Sequence, residues 1–146
     1  LPTKPGDGQF GVIDLATGNV LFAKRMDGRE SVSPIGAMRG EDGARLAVLP
    51  TRNGIDVFDV DALSFRVRID ESSVETPDSP GYGEDVLTTE DGALIFSRGP
   101  WLVKISGNLS IEHFGPLPWN PNHITYGADG MIYACNGPTL YRIEMS

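Results

Sequence analysis

Two short polar pairs in this 146-residue sequence carry side chains that could do chemistry, Glu84-Asp85 and Asn122-His123. Each pair stands seven and six positions ahead of an Asp-Gly dipeptide, at Asp91 and Asp129. Oxygens of the Glu84 and Asn122 type suit Ca²⁺ or Mg²⁺, and the imidazole of His123 would open the set to Zn²⁺ or Mn²⁺. His123 is also the candidate general base. Asp85, and Trp119 in the Pro-rich stretch GPLPWNP, are the candidates for touching a ligand. These residues have a structural reading too. A carboxylate or amide at the start of a strand satisfies orphan backbone groups, and neighbours such as Glu84 and Asp85 point to opposite sides of a strand. His113 falls in an expected outer strand and reads as an edge histidine, and Cys135, in MIYAC, as a buried thiol.

For the two pairs to meet, the chain must bring equivalent positions together, and a repeat does that. Asp-Gly dipeptides at Asp42, Asp91 and Asp129 lie 49 and then 38 residues apart, inside the range of propeller-type repeats. A proline precedes each unit (Pro34, Pro80, Pro121), a glycine follows its second strand (Gly54, Gly99, Gly137), and GPWLVKIS matches GPTLYRIE. Asp-Gly between β-rich runs predicts hairpins with two-residue type I′ turns. The second strands LAVL, ALIF and MIYA are apolar almost throughout, as strands packed on both faces must be. Phe65, Val67 and Ile69 alternate with Arg66 and Arg68, which predicts an outer strand with one dry and one wet face. The acidic stretch Asp70 to Gly83, without periodicity, predicts an exposed connection.

The expectation is an all-β chain of β-propeller blades, each a four-stranded antiparallel sheet covered by its neighbours, in an incomplete ring of about three blades. Its parts are the outer strands of one blade (9–25), a blade at 34–69, a blade at 84–115 and a partial blade at 121–146. Loops entering the innermost strands of such a fold gather at the mouth of the central channel. Ile35-Gly36, Glu84-Asp85 and Asn122-His123 should therefore meet there.

The segment PNHITYGADGMIYACN resembles the repeat of NHL-type and SMP-30/gluconolactonase-type β-propellers, in which a Pro-containing loop enters the innermost strand and an Asp-Gly turn follows. The resemblance implies a divalent cation at the channel mouth, held by Glu84 in GYGED and Asn122 in PNH. The sequence departs from that pattern where His123 replaces a glycine and where the first unit offers only Ile35.

Composition bounds the function. A hydrophobic fraction of 40 % with 22 % charged residues is ordinary for one globular unit, and the net charge of −8 argues against a phosphate-tracking nucleic-acid surface. No apolar run approaches the roughly 20 residues that span a bilayer. The sequon Asn108-Leu109-Ser110 at an expected turn would be an accessible place for a sugar in a secreted chain, but such triplets are common by chance; the localisation is open, with a secreted or extracytoplasmic setting slightly favoured. Two functional expectations follow. One is a ligand- or protein-binding scaffold with its recognition loops at the channel mouth. The other is part of a divalent-metal-dependent hydrolase or lyase, with Ca²⁺ or another divalent ion as cofactor. In either case an open set of blades calls for a partner, the remaining blades of a longer protein or a second chain.

Overall fold

The Asp-Gly dipeptides make hairpins, but by a different loop from the one expected. In a computed structural model, which describes residues 8–26, 35–51, 54–71 and 82–144, the Gly40 N–H donates to the Ala44 carbonyl and the Gly43 N–H to the Gly40 carbonyl, both at 2.9 Å. Thr89, Gly92 and Ala93 repeat this pattern, as do Gly127, Gly130 and Met131. Each loop therefore has three residues, a tight turn closed by a glycine at positive φ (84°, 85° and 77° at Gly43, Gly92 and Gly130). That is the three-residue hairpin in which a residue in the left-handed region forms a bulge, and it spares the aspartate a positive φ. The aspartate works through its side chain instead. Asp42 accepts the Ala44 N–H at 3.2 Å, Asp129 accepts the Met131 N–H at 3.0 Å, and Asp91 accepts the Thr89 hydroxyl.

Among the described residues there are thirteen strands and no helix. They are β1 (Gly8–Ile13), β2 (Val20–Met26), β3 (Gly36–Arg39), β4 (Arg45–Thr51), β5 (Gly54–Asp59), β6 (Ser64–Asp70), β7 (Tyr82–Thr88), β8 (Leu94–Arg98), β9 (Trp101–Ile105), β10 (Ile111–Phe114), β11 (His123–Tyr126), β12 (Ile132–Asn136) and β13 (Thr139–Ile143). Every pairing is antiparallel between sequence neighbours. The chain thus forms four meander sheets, β1-β2, β3-β4-β5-β6, β7-β8-β9-β10 and β11-β12-β13. The predicted Asn53-Gly54 turn falls partly outside the described residues. Its counterparts are two-residue Gly-Pro loops, Gly99-Pro100 and Gly137-Pro138.

The sheets stack face to face in chain order, and three apolar layers fill the spaces between them. Phe10 and Met26 of the first sheet pack with Ala47, Leu49 and Phe58 of the second. The opposite face of the second sheet, with Met38, Leu46, Val48, Ile55 and Val57, meets Leu94, Phe96, Val103 and Ile105 of the third. Ile95 and Leu102 then meet Ile124, Ile132 and Ala134 of the fourth. Successive residues of β4 and β8 therefore enter different layers, which is why the runs LAVL and LIF within them are apolar without a break. Among the described residues this series forms no closed ring.

Strand β6 corrects the expectation of one dry face. Val57 pairs with Val67 and Phe58 with Phe65, so Arg66 is an extra residue in the ladder. The bulge reverses the alternation. Phe65 packs in the layer below the sheet and Ile69 in the layer above it, while Val67 stays exposed.

Candidate functional site

The polar pairs enter β7 and β11, the first strands of the third and fourth sheets, and these two strands lie side by side. The structure brings Asp85 and His123 together across that junction. One carboxylate oxygen of Asp85 is 3.0 Å from His123 Nδ1 and also accepts the Ile124 backbone N–H at 3.0 Å. Ile124 is buried, whereas the imidazole points to solvent with 59 % of its side chain exposed. Asp85 thus caps the start of β11 from a neighbouring sheet by accepting the Ile124 backbone N–H. Chemically the pair is a carboxylate-oriented imidazole open to water, the arrangement that fixes a histidine tautomer for proton transfer.

The remaining candidates do not join it in one cluster. Asn122 donates its backbone N–H to the Cys135 carbonyl at 3.0 Å, extending the β11-β12 ladder, and is exposed. The Glu84 side chain lies outside the described part of the structure. Trp119 is stacked on Tyr141, ring centroids 3.9 Å apart and 20° from parallel, and it packs against the third layer. One of its ring faces is therefore taken. Its loop is tied down next door, where Asn136 Nδ2 donates to the Asn120 carbonyl at 2.9 Å. Ile35 and Gly36 place no polar side chain at the start of β3. Among the described residues no group of three or more His, Cys, Asp and Glu side chains is placed to hold a metal ion.

A second polar cluster was not legible from the sequence. Glu71, at the start of the acidic stretch expected to be exposed, is only 3 % exposed. Arg98, also buried, donates from Nη1 to the Glu71 carbonyl at 2.7 Å. His113 Nε2 lies 2.8 Å from one Glu71 carboxylate oxygen, and its ring sits edge-on to Trp101. His113 is thus the edge-strand histidine expected, on β10, and its ring also anchors a buried carboxylate. These residues come from β8, β10 and the segment after β6, and no short-range pattern links them. An Arg inside an apolar second strand, ALIFSR, was the only available signal.

Electrostatics elsewhere serves the turns. Hydrogen bonding to Arg66, with the Ala44 N–H, holds Asp42 below the usual carboxylate range. The Ala62 N–H and Arg66 do the same for Asp59, and Arg45 does it for Asp61. The Tyr133 hydroxyl donates to Asp129 at 2.7 Å, lowering the carboxyl and raising the phenol. Compared with known family models, with curated proteins and with solved structures, the chain matches none.

Proposed function

We propose that the chain is a segment of a β-propeller that serves as a rigid binding scaffold, with its recognition surface on the loops that enter the inner strands. The observation that carries this reading is the serial stacking of four meander sheets, with Asp85 of one inner strand holding the start of the next. Stacked meanders with neighbouring first strands are the arrangement of propeller blades. The incomplete first and last sheets favour completion by further blades. Ile13 and Leu21 on the first sheet and Leu140 on the last are exposed apolar side chains on strands with no sheet beyond them among the described residues. The net charge of −8 favours cationic or neutral ligands. The scaffold reading is preferred to a metal-dependent hydrolase or lyase because the Asp85 carboxylate is engaged with the Ile124 N–H and His123, and the equivalent positions of the second sheet offer only Ile35 and Gly36.

Calorimetric titration with CaCl₂ and ZnCl₂, together with thermal melts in EDTA, tests the choice. The scaffold reading expects no saturable 1:1 binding and an unchanged Tm. One divalent ion per chain, lost in both Glu84→Ala and Asn122→Ala, would overturn it in favour of the metal enzyme.

A further inference from the structure

The turn between β9 and β10 is built like the Asp-Gly turns. The Ser106 N–H donates to the Ser110 carbonyl at 3.0 Å and the Leu109 N–H to the Ser106 carbonyl at 2.8 Å, so the loop again has three residues. Asn108 stands where the other turns carry an aspartate, and its Oδ1 accepts the N–H two residues on, here that of Ser110 at 3.0 Å. Leu109 stands where they carry glycine, at a φ of 65°, and its side chain packs into the layer between the second and third sheets. That leucine anchors the turn, and Asn108 and Ser110 on either side of it are exposed.

Turn closure accounts for one atom of Asn108 and no more. An aspartate serves the same purpose at 42 and 129, so the amide nitrogen is surplus to the fold, and Nδ2 has no partner among the described residues. The Ser110 hydroxyl donates to the same Oδ1 at 2.7 Å, at a position where the other turns carry Ala44, Ala93 and Met131. Asn108-Leu109-Ser110 is the single Asn-X-Ser/Thr triplet in the sequence. Beside it lies a cavity of about 320 Å³ lined by Glu41, Asp42, Arg66, Gly107, Asn108 and Leu109. The Glu41 N–H donates to the Gly107 carbonyl at 2.8 Å, which fixes the two turns against each other. Arg66 is pinned through Nη2 between Asp42 at 3.1 Å and Asp59 at 2.7 Å, while the Glu41 side chain is exposed and has no partner among the described residues.

We infer that Asn108 Nδ2 is an acceptor for N-linked glycosylation on a secretory route, and that the first sugar rests in this cavity, over Leu109 and against Glu41 and Arg66. In the transfer step Nδ2 attacks the anomeric carbon of an oligosaccharide carried on a lipid diphosphate. The C–N bond forms as the C–O bond to the diphosphate breaks, the diphosphate leaves with the electron pair, and one amide proton passes to the transferase. The triplet is the acceptor pattern for this chemistry, and its exposure on a turn leaves room for a bulky group. The cavity suits a neutral polyhydroxy ring, since its carboxylates accept and its guanidinium donates hydrogen bonds. Three carboxylates, Glu41, Asp42 and Asp59, around one Arg66 disfavour an anion there. Every turn at this end of the four sheets lies within the described residues, and among them this one holds Asn108 and Ser110 open to solvent.

The test is to express the chain behind a secretion signal in eukaryotic cells and to measure its intact mass. One oligosaccharide, released by peptide N-glycosidase, is expected. It should be absent from Asn108→Asp, which keeps Oδ1 for the turn, and Asn108→Asp should melt with the sugar-free chain made in bacteria. Ser110→Ala should also lack it and Ser110→Thr should carry it, a comparison that leaves the amide untouched. Trimming the oligosaccharide to its first sugar should leave a Tm about 1–4 °C above that of Asn108→Asp, the effect of one added hydrogen bond. Glu41→Ala should erase that gain. A folded, secreted chain of unmodified mass, or a sugar that persists in Asn108→Asp, would overturn the acceptor. A trimmed chain that melts no higher than Asn108→Asp would overturn the seat in the cavity.

Discussion

Phe58→Ala tests whether the first sheet is held to the rest of the molecule as the structure states. Phe58 has no exposed surface, and its ring lies 4.9 Å from Phe10, 4.7 Å from Phe22 and 5.1 Å from Phe65. Truncating a fully buried Phe costs about 3–5 kcal/mol through lost transfer energy and the cavity left behind. Three aromatic neighbours, each pair contributing about 0.5–1.5 kcal/mol beyond area, put the expectation in the upper half of that range. At about 2–4 °C per kcal/mol for a chain near this size, the melting point should fall by roughly 8–20 °C. The assay is urea unfolding at 25 °C, with Val67→Ala on the exposed part of β6 as a control expected to cost no more than about 0.5 kcal/mol. Hydrogen exchange should show β1 and β2 losing protection before the other sheets, because the lost ring belongs to the layer that fixes them. A loss below about 1 kcal/mol for Phe58→Ala, or uniform loss of protection, would refute the reasoning.

Three further perturbations read other parts of the arrangement. Gly36→Ala should destabilise by about 1–3 kcal/mol through overpacking on Leu94, and Leu94→Ala should relieve it. A double-mutant cycle with coupling below about 0.5 kcal/mol would deny that the second and third sheets touch there. Asp85→Ala should cost about 1 kcal/mol by leaving the Ile124 N–H unpaired, and should speed exchange of that one amide. Unchanged exchange at Ile124 would remove the inter-sheet cap. Finally, Asp42, Asp59 and Asp61 all titrate below their ordinary value of 3.8 in the folded chain. Their stabilisation is complete above that value and is lost as pH falls through the depressed values. Urea midpoints measured from pH 5 down to pH 2 should therefore drop, and drop less steeply in Arg66→Gln. Parallel curves for the two proteins would contradict the role given to Arg66.

The sequence by itself determined the strands. Asp-Gly at 42, 91 and 129, with the apolar runs LAVL and ALIF, sufficed for hairpins, for second strands β4 and β8 buried on both faces and for an all-β chain, because hairpin formation and side-chain alternation are local properties of the backbone; MIYA, read the same way, alternates buried and half-buried in β12. Placing Glu84-Asp85 and Asn122-His123 at equivalent points was also a local inference, made by counting from a turn. Only the tertiary structure decided what those residues do. Asp85 finds His123 38 residues away because two sheets stack, and stacking distances are not written in any window of sequence. The bulge at Arg66 shows the same division. The pattern of β6 alone gave one dry face, but the pairing of Val57 with Val67 and Phe58 with Phe65 sent Phe65 and Ile69 into different layers. Glu71 is buried because Arg98 and His113 reach it from two other strands, against its acidic surroundings in the sequence.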